Sequence, residues 1–157
     1  MAGKVTNVVF AGLGGQGVLK ASDIFADVAF RLGLDVKKSE VHGMSQRGGF
    51  VQSDVRFGPR VDSPMVPAGE ADFLVVIAAD QVDAAMPALR KGGVLIKPDQ
   101  IDETKLMNRR SLNVALLGVL SRHLDFTETL WHEAIRAALA PKLHEANIQA
   151  FALGRGK

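Results

Sequence analysis

Apolar positions along this chain fall into patterns that separate strand from helix. The run "VTNVVFAGLGGQG" passes from a β-rich stretch, Val5 to Ala11, into a cluster of glycines. The next run, "VLKASDIFADVAFRLG", repeats Val18, Ala21, Ile24 and Phe25, Val28 and Ala29, and Leu32 at helical spacing, and Gly33 is a natural stop. This predicts a strand, a tight turn and a helix. Further on, "FVQSDVRFG" alternates Val51, Ser53, Val55 and Phe57 with Gln52, Asp54 and Arg56. Such a strand has one polar face, which is expected to be half exposed or to face a site. "FLVVIAA" is apolar without a break, as in a strand buried on both faces of a parallel sheet.

Between these strands, "VDSPMVPAGEAD" carries two prolines and no periodicity and reads as a loop. A short helix is expected from Gln81 to about Lys91, kinked or shortened at Pro87, followed through Gly92 and Gly93 by a strand, "VLIK". The remainder is helical. "SLNVALLGVLSRHL" is apolar almost all round and should be buried, whereas "TETLWHEAIRAALA" gathers Leu130, Ala134, Ile135, Ala138 and Leu139 on one stripe. Pro141 restarts a last helix, "PKLHEANIQAFALG", expected to end at Gly154. Strands interleaved with helices define the α/β class: a mostly parallel sheet flanked by helices, a Rossmann-like three-layer sandwich with a helical C-terminal segment. The 157 residues suffice for one core, so residues 1–157 are expected to form a single domain.

Composition narrows the function. Nineteen basic and 17 acidic side chains leave a net charge of +2 without a basic block, so nucleic acid is not the expected partner. No apolar run approaches the roughly 20 residues of a membrane span, and "MAGKVTNVVF" lacks the small-residue cleavage site of a secretory signal. The expectation is a soluble, cytoplasmic protein with no membrane partner. Cysteine is absent, which excludes disulfides, thiolate zinc sites, a cysteine nucleophile and iron–sulfur ligation by cysteines of this chain. Any redox centre must come from elsewhere. His123, His132 and His144 lie on separate helical stretches at spacings that make no metal site, and Trp131 and the eight Phe are too dispersed for a base-stacking platform.

Two glycine-rich segments carry the candidate chemistry. "GLGGQG" places Gly12, Gly14 and Gly17 in the three glycine positions of a dinucleotide fingerprint, after a strand and before a helix. With Gly15 and Gln16 they form a candidate anion-binding turn, where backbone amides and the positive end of a helix hold a phosphate or other anion. Glu40, 23 residues after Gly17, stands near the place of an acidic ribose ligand, yet "DVKKSE" contains one apolar residue, too few for a buried parallel strand. Alternatively, these glycines merely let strand and helix pack closely. The second segment, "HGMSQRGG", sets His42, Ser45, Gln46 and Arg47 between Gly43 and the pair Gly48 and Gly49. Polar side chains and uncovered amides there suit a carboxylate, a phosphate or another protein's backbone, unless His42 and Arg47 are ordinary solvated loop residues. Ser45 with His42 lacks the local geometry of a hydrolase elbow.

With both segments in view, the chain resembles the gamma-type subunit or domain of the 2-oxoacid:ferredoxin oxidoreductases. The resemblance runs through "GLGGQGVLKASDIFADVAFRLGLDVKKSEVHGMSQRGG", "SPMVPAGEADFLVV" and "PKLHEANIQAFALGR". Its form "HGMSQRGG" is similar to that of the small beta subunit of the indolepyruvate type. The resemblance implies a small accessory subunit, inactive alone, of an enzyme that oxidatively decarboxylates indolepyruvate or related aryl 2-oxo acids to an acyl-CoA. Thiamine diphosphate, magnesium and iron–sulfur clusters would belong to a large partner subunit, coenzyme A would be the cosubstrate, and ferredoxin would accept the electrons. His42, Ser45, Gln46, Arg47, Gly48 and Gly49 would then lie on the substrate, coenzyme A or interface side, and no catalytic residue is assigned to this chain. Only "PDQIDETKLMNRR" separates Lys97 from Ser111, where relatives carry a longer excursion, so the domain is expected to be trimmed at one sheet edge. That leaves a phenylglyoxylate-type subunit as an alternative. A free-standing dinucleotide-binding oxidoreductase and a non-catalytic sensor domain are two further ones.

Overall fold

The computed structural model describes residues 4–42 and 49–156, with the backbone alone at His42. Five strands form one sheet: β1 (Thr6–Leu13), β2 (Asp35–His42), β3 (Phe50–Gly58), β4 (Ala71–Val76) and β5 (Leu89–Ile96), in the order β2-β3-β1-β4-β5. β1, β4 and β5 pair in parallel, and β3 runs antiparallel to both β1 and β2. β2 therefore points the same way as β1, and β3 alone is reversed. The expected α/β sandwich is present with a mixed sheet, its antiparallel hairpin forming one edge.

Five α-helices accompany the sheet: α1 (Val18–Arg31), α2 (Val82–Ala85), α3 (Leu112–Ser121), α4 (Glu128–Ala138) and α5 (His144–Arg155). Four of them build one thick layer. Val8 and Phe10 of β1, Val55 and Phe57 of β3 and Val75 of β4 meet Phe25 of α1, Leu116 and Leu117 of α3, Trp131 of α4 and Phe151 of α5. Phe25 is the hub, with its ring centroid 5.7 Å from that of Phe10, 5.6 Å from Phe57 and 5.9 Å from Trp131. Each such fully buried side chain stabilises the fold by about 1.5–3 kcal/mol. Trp131 is a core residue, fully buried. None of the described helices is long and apolar enough to cross a membrane.

The other face of the sheet is thinly covered. Val9, Ala11, Leu74 and Val76 pack against Ala85 of α2 and Val66 of the proline-rich loop at residues 59–70. This loop covers part of the polar face of β3, which is half exposed as expected at Gln52 and Arg56 but buried at Asp54. Asp54 is 2% exposed. Its carboxylate accepts from the Val66 amide at 3.0 Å and from Gln52 Nε2 at 3.0 Å. Arg56 donates to Asn7 Oδ1 and to the Ser63 carbonyl, both at 2.8 Å. A loop without a ladder of its own must find partners for its backbone, and the polar side chains of β3 supply them.

Asp35 holds the same loop by accepting from the Val61 amide at 2.7 Å. That hydrogen bond, then the one from Lys37, lowers the Asp35 pKa below its ordinary value of 3.8. The group titrates lower folded than unfolded, so its contribution is fully present above pH 3.8 and fades as the pH falls below it. Asp35→Asn is therefore expected to flatten the acid limb of the stability profile below about pH 4 while changing little of its shape above pH 5. Urea melts across that range read this out, and an acid limb identical to wild type would be the contrary result.

Three boundaries differ from the sequence pattern. α2 covers just Val82–Ala85 because Pro87 enters a 3-10 turn at Met86–Ala88, and β5 begins at Leu89, passing through Gly92 and Gly93. The parallel register with β4 slips between Ala71 and Phe73 where this glycine pair enters the strand. At the chain's end, α5 continues through Gly154, and Gly156 with φ 91° is the residue that caps it. Gly154 faces α3 instead. A Cβ there would strike the Ala115 carbonyl, and one on Gly118 the Phe151 carbonyl, so α3 and α5 touch backbone to backbone.

Candidate functional site

β1 delivers the chain into the glycine turn at the carboxyl edge of the sheet, where open α/β folds place their ligands. The turn is folded on itself. The Leu13 amide donates to Gln16 Oε1 at 2.8 Å and the Gln16 amide to the Leu13 carbonyl at 3.2 Å. Gly15 and Gly17 adopt φ of 89° and 81°, and the Ala21 amide donates to the Gly17 carbonyl at 2.9 Å to start α1. A Cβ on Gly12 would come within 2.9 Å of both Gln16 Oε1 and Val18 Cγ2, so close packing fixes that glycine.

Not every amide of the turn is bare, as its composition had implied. Gly14 donates to the Gly49 carbonyl at 2.8 Å, and Leu13 and Gln16 satisfy each other. The amides of Gly15, Gly17, Val18, Leu19 and Lys20 make no hydrogen bond among the described residues, and α1 has no side-chain cap. These are the donors left for an anion at the positive end of a 14-residue helix.

The Gly14–Gly49 bond also joins the two glycine segments. β2 ends at His42 opposite Val51, and β3 starts at Phe50 opposite Leu13, so both ends of the second segment sit beside the first. The His42 side chain and Ser45, Gln46, Arg47 and Gly48 lie outside the described residues. Strand order removes the dinucleotide reading. Glu40 pairs with Ser53 on β3, and β3 stands between β2 and β1. The acid thus lies two strand spacings, about 10 Å, from β1, whereas a ribose ligand belongs on the neighbouring strand.

The sequence reading missed four residues that the fold brings to the turn. Lys20, Arg109, Arg110 and Asn113 line a cleft of about 610 Å³ together with Gly15, Gln16 and Gly17. Asn113, 7% exposed, donates from Nδ2 to the Gly17 carbonyl at 3.1 Å and ties the start of α3 to the start of α1. The signal was "NRRSLN". Two arginines directly before a buried helix oppose its macrodipole, which favours acids at that end.

His123, His132 and His144 take structural positions. His144 Nε2 lies 3.0 Å from the Arg136 carbonyl and 2.8 Å from that of Leu139, at the end of α4. The His123 ring packs 5.8 Å from Phe73 and that of His132 5.9 Å from Phe151. Among the described residues no group of three His, Asp or Glu is placed to hold a metal ion.

A mixed sheet with a glycine turn and a returning hairpin at its carboxyl edge matches a known family. The model of the family described as pyruvate ferredoxin/flavodoxin oxidoreductase matches residues 7–156, and the chain belongs to that family. More narrowly, it is 35% identical to the indolepyruvate oxidoreductase subunit IorB of Thermococcus kodakarensis, covering 96% of this chain and 95% of that one. The subunit of the same name from Pyrococcus horikoshii is 34% identical with the same coverage. The alignment with the Thermococcus subunit runs over 193 positions, so that relative has residues with no counterpart among the 157 here. Among solved structures, the gamma subunit of a keto/oxoacid ferredoxin oxidoreductase from Geobacter sulfurreducens superposes with a TM-score of 0.76 at 23% identity, over 95% of both chains. The 2-oxoglutarate:ferredoxin oxidoreductase of Magnetococcus marinus gives 0.81 at 17% identity, over 97% of this chain and 30% of its own. These two likenesses concern the fold.

Proposed function

We propose that this chain is the small subunit of an indolepyruvate-type 2-oxoacid:ferredoxin oxidoreductase, and that its two glycine segments form one surface against a large partner. The observation that carries this reading is the hydrogen bond from the Gly14 amide to the Gly49 carbonyl. It ties the fingerprint turn to Gly49, the last residue of the "HGMSQRGG" segment, and it supports an interface in a family whose curated relatives are named as oxidoreductase subunits.

The cofactors divide accordingly. Without cysteine this chain does not fit an iron–sulfur cluster, which assigns the clusters to the partner, and in this reading thiamine diphosphate and magnesium sit there with them. Coenzyme A is the cosubstrate and ferredoxin the electron acceptor of the assembled enzyme. The contribution of this chain is shape and charge: Gly48 and Gly49 permit close backbone approach, and Arg47 and His42 offer charge and hydrogen bonds to substrate or partner.

Affinity purification of a tagged chain from its native cells tests the reading. A large subunit carrying thiamine diphosphate and iron–sulfur clusters is expected to come down with it, and the complex should oxidise aryl 2-oxo acids. A lone chain without such a partner would overturn the proposal. Within the complex, Arg47→Ala is expected to slow turnover by about tenfold or more while the subunit stays folded and bound. Unchanged steady-state kinetics would remove Arg47 from the site.

A further inference from the structure

We infer that the outer edge of β2 pairs antiparallel with the same edge of a second copy of this chain, about a two-fold axis at Ser39. β2 is the first strand of the sheet and bonds to β3 alone. From Val36 to His42, no backbone amide or carbonyl has a partner beyond β3 among the described residues. A row of bare backbone groups is a template for another strand. The opposite edge is blunted. β5 bends through Gly92 and Gly93, its register with β4 slips there, and its Leu95 carbonyl already accepts from Gln100 Nε2 at 3.2 Å.

Lysines guard an exposed edge by carrying unpaired charge along it. Those of β2 are paired within the chain. Lys37 Nζ meets Asp35 at 3.2 Å, and Lys38 Nζ meets both Asp23 of α1 and Glu40, the latter at 3.1 Å. The same border is rich in apolar surface. Of the six large apolar side chains exposed among the described residues, three lie here: Phe30 (71%), Leu32 (40%) and Val41 (47%). Asp23 and Phe30 stand two helical turns apart on one side of α1, and the bond from Lys38 to Asp23 turns that side toward β2.

Charge selects both the occupant and the register. In a two-fold antiparallel pair, facing side chains lie on the same face of the sheet, so the axis must pass through a residue. An axis at Lys37 or Lys38 sets two lysines against each other, and one at Glu40 sets two glutamates. An axis farther out pairs only a short end of the strand. At Ser39, Lys38 of each copy faces Glu40 of the other, Lys37 faces Val41, and Val36 faces His42. The methylene stem of Lys37 then covers the exposed Val41. Such a contact is isologous, the commonest form of soluble oligomer, and it joins two five-stranded sheets into one. The glycine turn stays free, because β3 and β1 separate it from this edge. A large partner at the turn and a second copy at β2 are therefore compatible.

The chain has no cysteine, so a single introduced one reports the register. Directly facing strand residues have Cα atoms about 4.5–5.5 Å apart, within the span of a disulfide. Ser39→Cys is expected to form an intermolecular disulfide under mild oxidation of the full chain. Lys37→Cys, on the same face, would lie about 13 Å from its copy and is expected to crosslink at least about tenfold more slowly. Sedimentation equilibrium of the wild-type chain is expected to show twice the monomer mass. Glu40→Lys, which sets a lysine against Lys38, should weaken the dimer by about tenfold or more with the circular dichroism spectrum unchanged. Three results would overturn the inference: a monomer up to millimolar concentration, a dimer in which Ser39→Cys crosslinks no faster than Lys37→Cys, or a Ser39→Cys disulfide to the large subunit in the purified complex. Because the mass and the register are read on this chain alone, they can fail while the large partner still co-purifies, and the reverse also holds.

Discussion

Gly154→Val is expected to lower the melting temperature by roughly 6–12 °C, the equivalent of about 2–4 kcal/mol or a little less in a domain of this size. The new Cβ would enter the Ala115 carbonyl oxygen and stand 2.9 Å from the carbon that bears it and 3.0 Å from the Val119 amide. Every atom it meets is backbone, so no side chain can rotate away, and overpacking of this kind costs about 1–3 kcal/mol or more. Helix propensity works the other way, since leaving glycine gains up to about 1 kcal/mol in a helix interior. Sterics are the larger effect. Gly118→Val should behave alike, because its Cβ would meet the Phe151 carbonyl and the Arg155 amide. Gly156→Ala, with φ 91° and no backbone within 4 Å, should cost only the left-handed strain of about 1–2 kcal/mol. Differential scanning calorimetry of the three variants decides it, and a Gly154→Val melt equal to wild type would mean the helices do not touch there. The consequence reaches the site, because α3 carries Asn113 at its first turn and α5 is what holds α3 down.

What could be read from the sequence was what is local. The passage from β1 through the glycine cluster to α1 is written in consecutive residues, and both the turn and the helix stand where the spacing puts them. β4 was equally plain, since an unbroken apolar run has few uses other than a strand covered on both faces. The place of β3 was not plain. Nothing near Phe50 says that this strand inserts between β2 and β1, although the polar composition of β2 fits an edge strand once the order is known.

The same limit applies to the site. Alternation along β3 announces a polar face but does not distinguish water from a covering loop, and here Asp54 and Arg56 spend that face on residues 59–70. Gly154 looked like a helix stop because glycine after a periodic stretch usually is one, while the close crossing that needs it depends on Gly118, far back in the chain. The wall formed by Arg109, Arg110 and Asn113 meets a turn 96 residues earlier in sequence, a distance over which periodicity carries no information.

Gly17→Ala is expected to reduce the turnover of the assembled enzyme by more than about tenfold, well beyond its effect on stability. Gly17 has φ 81°, so any side chain adds left-handed strain of about 1–2 kcal/mol. Its Cβ would also collide with Asn113 Nδ2 and lie 3.1 Å from Asn113 Cγ. The Asn113 side chain must then leave, and with it goes the bond that fixes the Gly17 carbonyl at the start of α1. Gly33 supplies the control, for it has nearly the same φ, 83°, yet a Cβ there meets nothing within 4 Å. Gly33→Ala therefore isolates backbone strain, and the excess loss in Gly17→Ala reports the contact with Asn113. Asn113→Ala should reproduce much of that excess with no strain at all. If Gly17→Ala and Gly33→Ala lost equal stability and neither lost turnover, the turn would be only a joint between β1 and α1, and the cleft beside it would owe nothing to the register of its two helices.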